Sequence, residues 1–177
     1  MKSAIISGST GLVGFELAKY LFSKDVNIIC LGRKEFSQTK LPELPLKESR
    51  YIFLPMKKIS QLPQLLKERQ LELDQNCVFY NFAWGGDSKL TDGELSDQIK
   101  NAIYASEAVK AAKLSGCSKF INVGTLEESN VEDYLKHDYP KNHNQNQINY
   151  ALAKLSSRDM CKITSYLAKI DYVHTRL

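Results

Sequence analysis

The feature that most constrains this 177-residue chain is its opening, MKSAIISGSTGLVG. A compact β-rich run, residues 3–8, leads straight into Gly8, Gly11 and Gly14 in the pattern G-x-x-G-x-x-G. Residues 12–23 then place Leu12, Phe15, Leu17, Leu21 and Phe22 at roughly helical spacing. A strand, a glycine turn and a helix in that order suit a phosphate-bearing ligand. Gly8 permits the tight turn, Gly11 lets the backbone approach a pyrophosphate, and Gly14 lets the helix pack on the sheet. The helix N-terminus meets the phosphate charge. Gly8, Ser9, Thr10, Gly11, Leu12, Val13 and Gly14 are therefore the expected dinucleotide-binding loop.

The rest of the chain repeats the alternation. Strands are expected at 26–32, 51–55, 77–84 and 119–125, and a sixth in DYVHTRL at the end. Helices are expected at 59–70, 95–116 and 149–169, the second ended by Gly116. Residues 33–50 read as a polar, proline-bearing loop and 129–148 as a long polar connection. Near-continuous apolar strands between helices predict an α/β doubly wound parallel sheet, a Rossmann fold. A length of 177 residues suits one domain, residues 1–177.

Composition excludes several classes. A net charge of +4, with basic residues scattered, gives no nucleic-acid footprint. No run approaches the roughly 20 apolar residues that span a bilayer, so no membrane partner is expected. The four cysteines, at 30, 77, 117 and 161, have no C-x-x-C spacing and read as buried thiols of a reducing, cytoplasmic compartment. His137, His143 and His174 lack metal-ligand spacing and read as solvent-exposed, and no metal is expected.

Two further sets of residues carry chemistry. Tyr150 and Lys154 are four apart in INYALAK, one turn apart on one helix face. Thr125 closes the fifth strand 25 residues before Tyr150. Taken with GSTGLVG, this set resembles the short-chain dehydrogenase/reductase superfamily, in particular its extended branch, the NAD-dependent epimerase/dehydratase family. That resemblance implies Thr125, Tyr150 and Lys154 as catalytic residues. Thr125 would donate to a substrate oxygen, Tyr150 would exchange its proton, and Lys154 would favour the phenolate and hold ribose hydroxyls. It also implies Asn81 and Ala83, in FYNFAWGG, beside the cofactor, and Asn101 as a brace on neighbouring backbone.

Departures from the family pattern narrow the chemistry. Related dehydratases carry an Asp-Glu pair after the threonine; here Leu126 and Glu127 stand there. Glu128 matches a glutamate of reductase-like and epimerase-like members, although Ser129 replaces their tyrosine. Glu127 and Glu128 join the catalytic candidates, and reduction or epimerisation is favoured over 4,6-dehydration. At the end of strand two no carboxylate awaits a ribose 2′-hydroxyl. Arg33 and Lys34 stand there instead, which favours NADP over NAD.

The resemblance implies an NAD(P)-dependent oxidoreductase or epimerase acting on a nucleotide-activated sugar, or its cofactor-binding part. By that resemblance the sequence is expected to end after the sixth strand, with the family's substrate-binding C-terminal lobe largely absent from it. A non-catalytic dinucleotide-binding or regulatory module is the alternative, and a remnant that binds nothing is a third reading. The family also implies a homodimer through helices 95–116 and 149–169, with Tyr104 and Ile163 facing outward.

Overall fold

The computed structural model describes residues 2–86, 94–136 and 148–177. Six parallel strands form one sheet: β1 (Ser3–Ser7), β2 (Asn27–Gly32), β3 (Tyr51–Phe53), β4 (Val78–Asn81), β5 (Lys119–Gly124) and β6 (Asp171–Arg176). Their order is β3-β2-β1-β4-β5-β6, so the direction of winding reverses between β1 and β4. In open parallel sheets ligands enter the crevice above such a switch point, at the carboxyl ends of the strands.

The helices are α1 (Leu12–Phe22), α2 (Leu62–Glu68), α3 (Leu95–Leu114), α4 (Glu128–Lys136) and α5 (Ile148–Ala168). Each face of the sheet has its own apolar core. Ile5, Ile29, Phe79 and Phe120 point to one side and pack with alanines of α3 and with Cys161 of α5. Phe79 and Phe120 stack there at 5.2 Å between ring centroids. Ile6, Ile28 and Cys30 point to the other side, against Ala18 and Leu21 of α1. The period-two alternation of β1 to β4 thus serves both cores, while β5 and β6 add Phe120 and the partly buried Tyr172 to the first.

Three local departures from the sequence reading have physical causes. Residues 33–50 form short 3-10 turns, and Leu41, Leu44 and Leu46 fold inward against the α1-side core. Spaced by prolines and charges, those leucines match neither the helical nor the strand period. The connection 129–148 is not loop throughout: α4 occupies Glu128–Lys136. Its buried positions are Glu128 and Val131, so a carboxylate replaces the apolar residue that would have betrayed the helix. The helix expected at 59–70 is α-helical only over Leu62–Glu68, after a 3-10 turn at Met56–Gln61, because Pro63 takes its first turn, where a missing N–H is no loss. The helix 95–116 closes at Ser115, with Gly116 just beyond it at φ +87°.

Candidate active site and cofactor cleft

Gly8 leaves β1 at φ +69°, a left-handed conformation that glycine adopts without strain. A Cβ there would lie 2.7 Å from the Ala83 amide nitrogen; one on Gly14 would lie 2.3 Å from the Gly8 carbonyl. Both absences bring the turn against β4 and the first turn of α1 against the glycine loop. Ser9 is buried, and its hydroxyl donates to the Leu31 carbonyl at 3.0 Å, tying the loop to β2. Gly11 is the N-cap of α1 and is exposed; Leu12 and Val13 follow, both exposed. Of this loop Gly8, Thr10 and Gly11 line the cleft, and Ser9, Leu12, Val13 and Gly14 do not.

A cleft of about 420 Å³ opens there, lined among others by Gly8, Thr10, Gly11, Arg33, Lys34 and Trp84. Lys57, from the turn after β3, lines it too, and among the described residues no carboxylate lines the cleft. The turn carrying Arg33 and Lys34 is held by Tyr51, whose hydroxyl donates to the Lys34 carbonyl at 2.5 Å. Ala83 lines the cleft. Asn81 lies beneath it, buried in a ladder of polar side chains across three strands. Ser7 Oγ donates to Asn81 Oδ1 at 2.7 Å, and Asn81 Nδ2 donates to Asn122 Oδ1 at 3.0 Å. Asn122 Nδ2 then donates to Ser157 of α5 at 3.3 Å.

Thr125, Tyr150 and Lys154 converge beside this cleft. The Tyr150 phenol has the Thr125 side chain as hydrogen-bond partner. Lys154 is buried and donates from Nζ to the Val123 carbonyl at 2.9 Å. Its ammonium also lies 4.0 Å from the centroid of the Trp84 ring and 5.7 Å from that of Tyr150. Burial lowers the Lys154 pKa to about 8, against the opposing pull of the Glu128 charge. The Tyr150 pKa departs from the sequence expectation. Burial raises it above its ordinary value, and the Thr125 hydrogen bond offsets this only in part. Asn101 does brace backbone: it accepts from the Gly85 amide at 2.8 Å and donates to the Gly85 carbonyl at 2.9 Å.

The two glutamates separate. Glu127 is half-buried and accepts from Asn130 Nδ2 at 2.6 Å. Glu128 is fully buried: the Thr125 amide donates to its Oε1 at 2.9 Å, and His174 Nε2 lies 2.9 Å from Oε2. Arg176 Nε lies 3.3 Å from the same oxygen. A Cβ on Gly124 would fall 2.1 Å from the Glu128 carboxylate, so this packing needs a glycine at the end of β5. Glu128 therefore grips the Thr125 backbone instead of facing the cleft. His174 is not the exposed residue expected; its side chain is 11 % exposed, because β6 lays it beside Asn122 and over Glu128. His137 and His143 lie outside the described residues. Tyr104 lines the cleft, contrary to the outward placement expected, while Ile163 is exposed as expected.

Sequence reasoning passed over Lys57, Tyr51 and His174 as site residues, since each joins the site only through tertiary packing. Among the described residues no His, Cys, Asp and Glu group could hold a metal ion. No described helix is long and apolar enough to cross a membrane.

A parallel sheet with this order, a glycine turn at its switch point and a cationic cleft above it define a Rossmann-type dinucleotide-binding fold. The family model of the NAD dependent epimerase/dehydratase family matches residues 4–177, and the chain belongs to that family. No curated protein matches it. Solved structures do. The Bordetella bronchiseptica enzyme WbmH in complex with NAD+ is 19% identical with a TM-score of 0.65, over 99% of this chain and 55% of that one. UDP-glucose 4-epimerase from Thermotoga maritima, with UDP-glucose, is 14% identical with a TM-score of 0.69, over 98% and 54%. UDP-glucuronic acid 4-epimerase from Bacillus cereus, with NAD, is 19% identical with a TM-score of 0.66, over 98% and 56%. The chain thus spans about half the length of these structures.

Proposed function

We propose that residues 1–177 form a single dinucleotide-binding domain serving hydride-transfer chemistry on a nucleotide-activated sugar, by keto-reduction or epimerisation. One observation carries this reading: Thr125, Tyr150 and Lys154 meet at the edge of a glycine-cradled cleft. The cofactor fits the residues present, because the missing Cβ atoms of Gly8 and Gly14 let the turn pack on β4 and α1 pack on the turn, leaving Gly8, Thr10 and Gly11 to line the cleft. The exposed first turn of α1 offers amides and dipole charge to a pyrophosphate. The nicotinamide, when bound, supplies the hydride donor or acceptor.

The chain's own residues have distinct tasks. The Thr125 hydroxyl donates a hydrogen bond to the substrate oxygen, and the Tyr150 phenol gives or takes the proton there. Lys154 holds ribose hydroxyls and supplies positive charge near the phenol. Glu127, on the open side of Thr125, is the remaining acid or base candidate. Glu128 acts through the Thr125 backbone. The substrate class follows the UDP-sugars named for the structural neighbours.

NADP is the proposed cofactor, with NAD second. Arg33, Lys34 and Lys57 put three cations in the cleft, and among the described residues no carboxylate stands there to receive a ribose 2′-hydroxyl. The NAD named in the neighbouring complexes is the competing choice. Exposed Ile103 on α3, with Ile163 and Leu167 on α5, favours a homodimer through these two helices. The four buried free thiols fit a cytoplasmic setting.

The test titrates the chain with NADPH and NADH, following nicotinamide fluorescence. NADPH is expected to bind more tightly, and Arg33→Ser with Lys34→Ser to cost it roughly tenfold or more while sparing NADH. Tighter NADH binding would remove the NADP assignment. UDP-sugar-dependent absorbance change, abolished by Tyr150→Phe, supports catalysis. Dinucleotide binding without turnover supports the non-catalytic module.

A further inference from the structure

Trp84 is the only tryptophan of the chain and stands where the cofactor cleft meets the Thr125–Tyr150–Lys154 group. Three contacts fix it. Its Nε1 donates to Oε1 of Gln98, a buried residue of α3, at 2.8 Å. The Lys154 ammonium lies over its face at 4.0 Å from the centroid. The Tyr150 ring stands perpendicular to it, at 86° and 6.0 Å between centroids. The backbone behind it is clamped as well, since Asn101, one turn along α3 from Gln98, holds both polar groups of Gly85.

A buried ammonium has three protons to satisfy, and the Val123 carbonyl takes one. The electron-rich face of an indole is a favourable substitute acceptor, more so away from water. Neither Gln98 nor Trp84 belongs to the apolar core that Phe79 and Phe120 help fill under α3 and α5. We infer that Trp84 is a positioning residue. Its ring face holds the Lys154 ammonium and its perpendicular contact seats the Tyr150 ring, so that one indole fixes both groups at the cleft mouth. The inference rests on reading Lys154 and Tyr150 as the working pair. It adds that their placement is set from β4 and α3, and not by α5 alone.

The indole also provides the readout. Tryptophan emission of the intact chain, excited at the red edge where the nine tyrosines do not absorb and followed from pH 6 to 10, reports Trp84 alone. The charged and titratable groups around Lys154 are Glu128 from α4 and Tyr150 and Cys161 from α5. A single emission step is expected as Lys154 loses its proton, near pH 8, and it is expected to vanish in Lys154→Met. An emission flat across this range, or a step that survives Lys154→Met, would overturn the inference.

A second arm measures NADPH affinity against pH by nicotinamide fluorescence. Trp84→Phe keeps an aromatic face and is expected to preserve the profile. Trp84→Leu keeps bulk without the face; it is expected to weaken binding roughly three- to tenfold and move the midpoint to lower pH. Equal behaviour of the two variants, where the parent chain binds NADPH, would also overturn the inference. The fluorescence arm needs no ligand. A chain that binds no dinucleotide therefore sinks the cofactor reading, while the Trp84 titration still decides this one.

Discussion

His174 Nε2 lies 2.9 Å from the carboxylate of Glu128, and the other oxygen of that carboxylate receives the Thr125 amide. A residue of the last strand therefore sets the backbone of the threonine proposed to meet substrate. Arg176, on the same edge strand, lies 3.3 Å from the same carboxylate and 2.9 Å from Glu132 on α4. The arrangement ties β6, α4 and the end of β5 into one unit.

This tie predicts an acid-sensitive stability. Burial raises the Glu128 pKa, but the His174 hydrogen bond, the Thr125 amide and the Arg176 charge outweigh it and hold the group below its ordinary value. A depressed carboxylate contributes stability above its unfolded pKa, near 4.3, and loses it as pH falls through the lower folded value. Glu128→Gln is expected to cost about 2 kcal/mol at neutral pH. The gap should close in acid, where the parent carboxyl is protonated too. Urea unfolding at pH 7 and below pH 4 checks this, and a gap independent of pH would defeat it.

Lys154 predicts a slope of the opposite kind at alkaline pH. Its pKa is lowered by burial to about 8, so between that value and the unfolded value near 10.4 the unfolded chain binds more protons. Stability attributable to Lys154 should therefore rise with pH across this window. Below it, Lys154→Met is expected to be the more stable protein by on the order of 2–3 kcal/mol. Thermal melts of both proteins at pH 7 and pH 9.5 measure the difference.

The glycines should separate by what surrounds them. Gly14→Ala places a Cβ 2.3 Å from the Gly8 carbonyl, backbone that cannot step aside. Overpacking of this kind costs about 1–3 kcal/mol or more, and loss of dinucleotide binding should accompany it. Gly11→Ala meets only an ordinary 3.4 Å contact. Its stability should stay within about 1 kcal/mol of the parent, while affinity for a dinucleotide drops. Unfolding midpoints beside binding curves would tell these apart; equal destabilisation by both substitutions would contradict the structure.

The ladder Ser7–Asn81–Asn122–Ser157 should behave as a coupled unit, because each member satisfies its neighbour in a buried setting. Asn81→Ala and Asn122→Ala are each expected to cost about 1–3 kcal/mol. The double variant should cost less than their sum by about 0.5–2 kcal/mol. Strict additivity in a denaturant double-mutant cycle would rule the coupling out.

Much of this protein was legible along the chain. The strand–glycine–helix opening, the apolar strands and the spacing of Thr125, Tyr150 and Lys154 all work through local period and order, which a linear reading preserves. Local period determined the six strands, four of the five helices and the position of the glycine turn. The tertiary structure alone decided which polar residues serve the cleft and which are buried supports. Glu128 and Glu127 are adjacent in sequence, yet helical geometry sends one under Gly124 to His174 and leaves the other half-buried against Asn130. Lys57 shares the cleft with Arg33 and Lys34 because β2 and β3 are neighbours in the sheet, and Trp84 meets Lys154 because α5 begins near where β4 ends. Burial and electrostatic partnership depend on distance through space, and seventy residues of chain separate Trp84 from the lysine on its face.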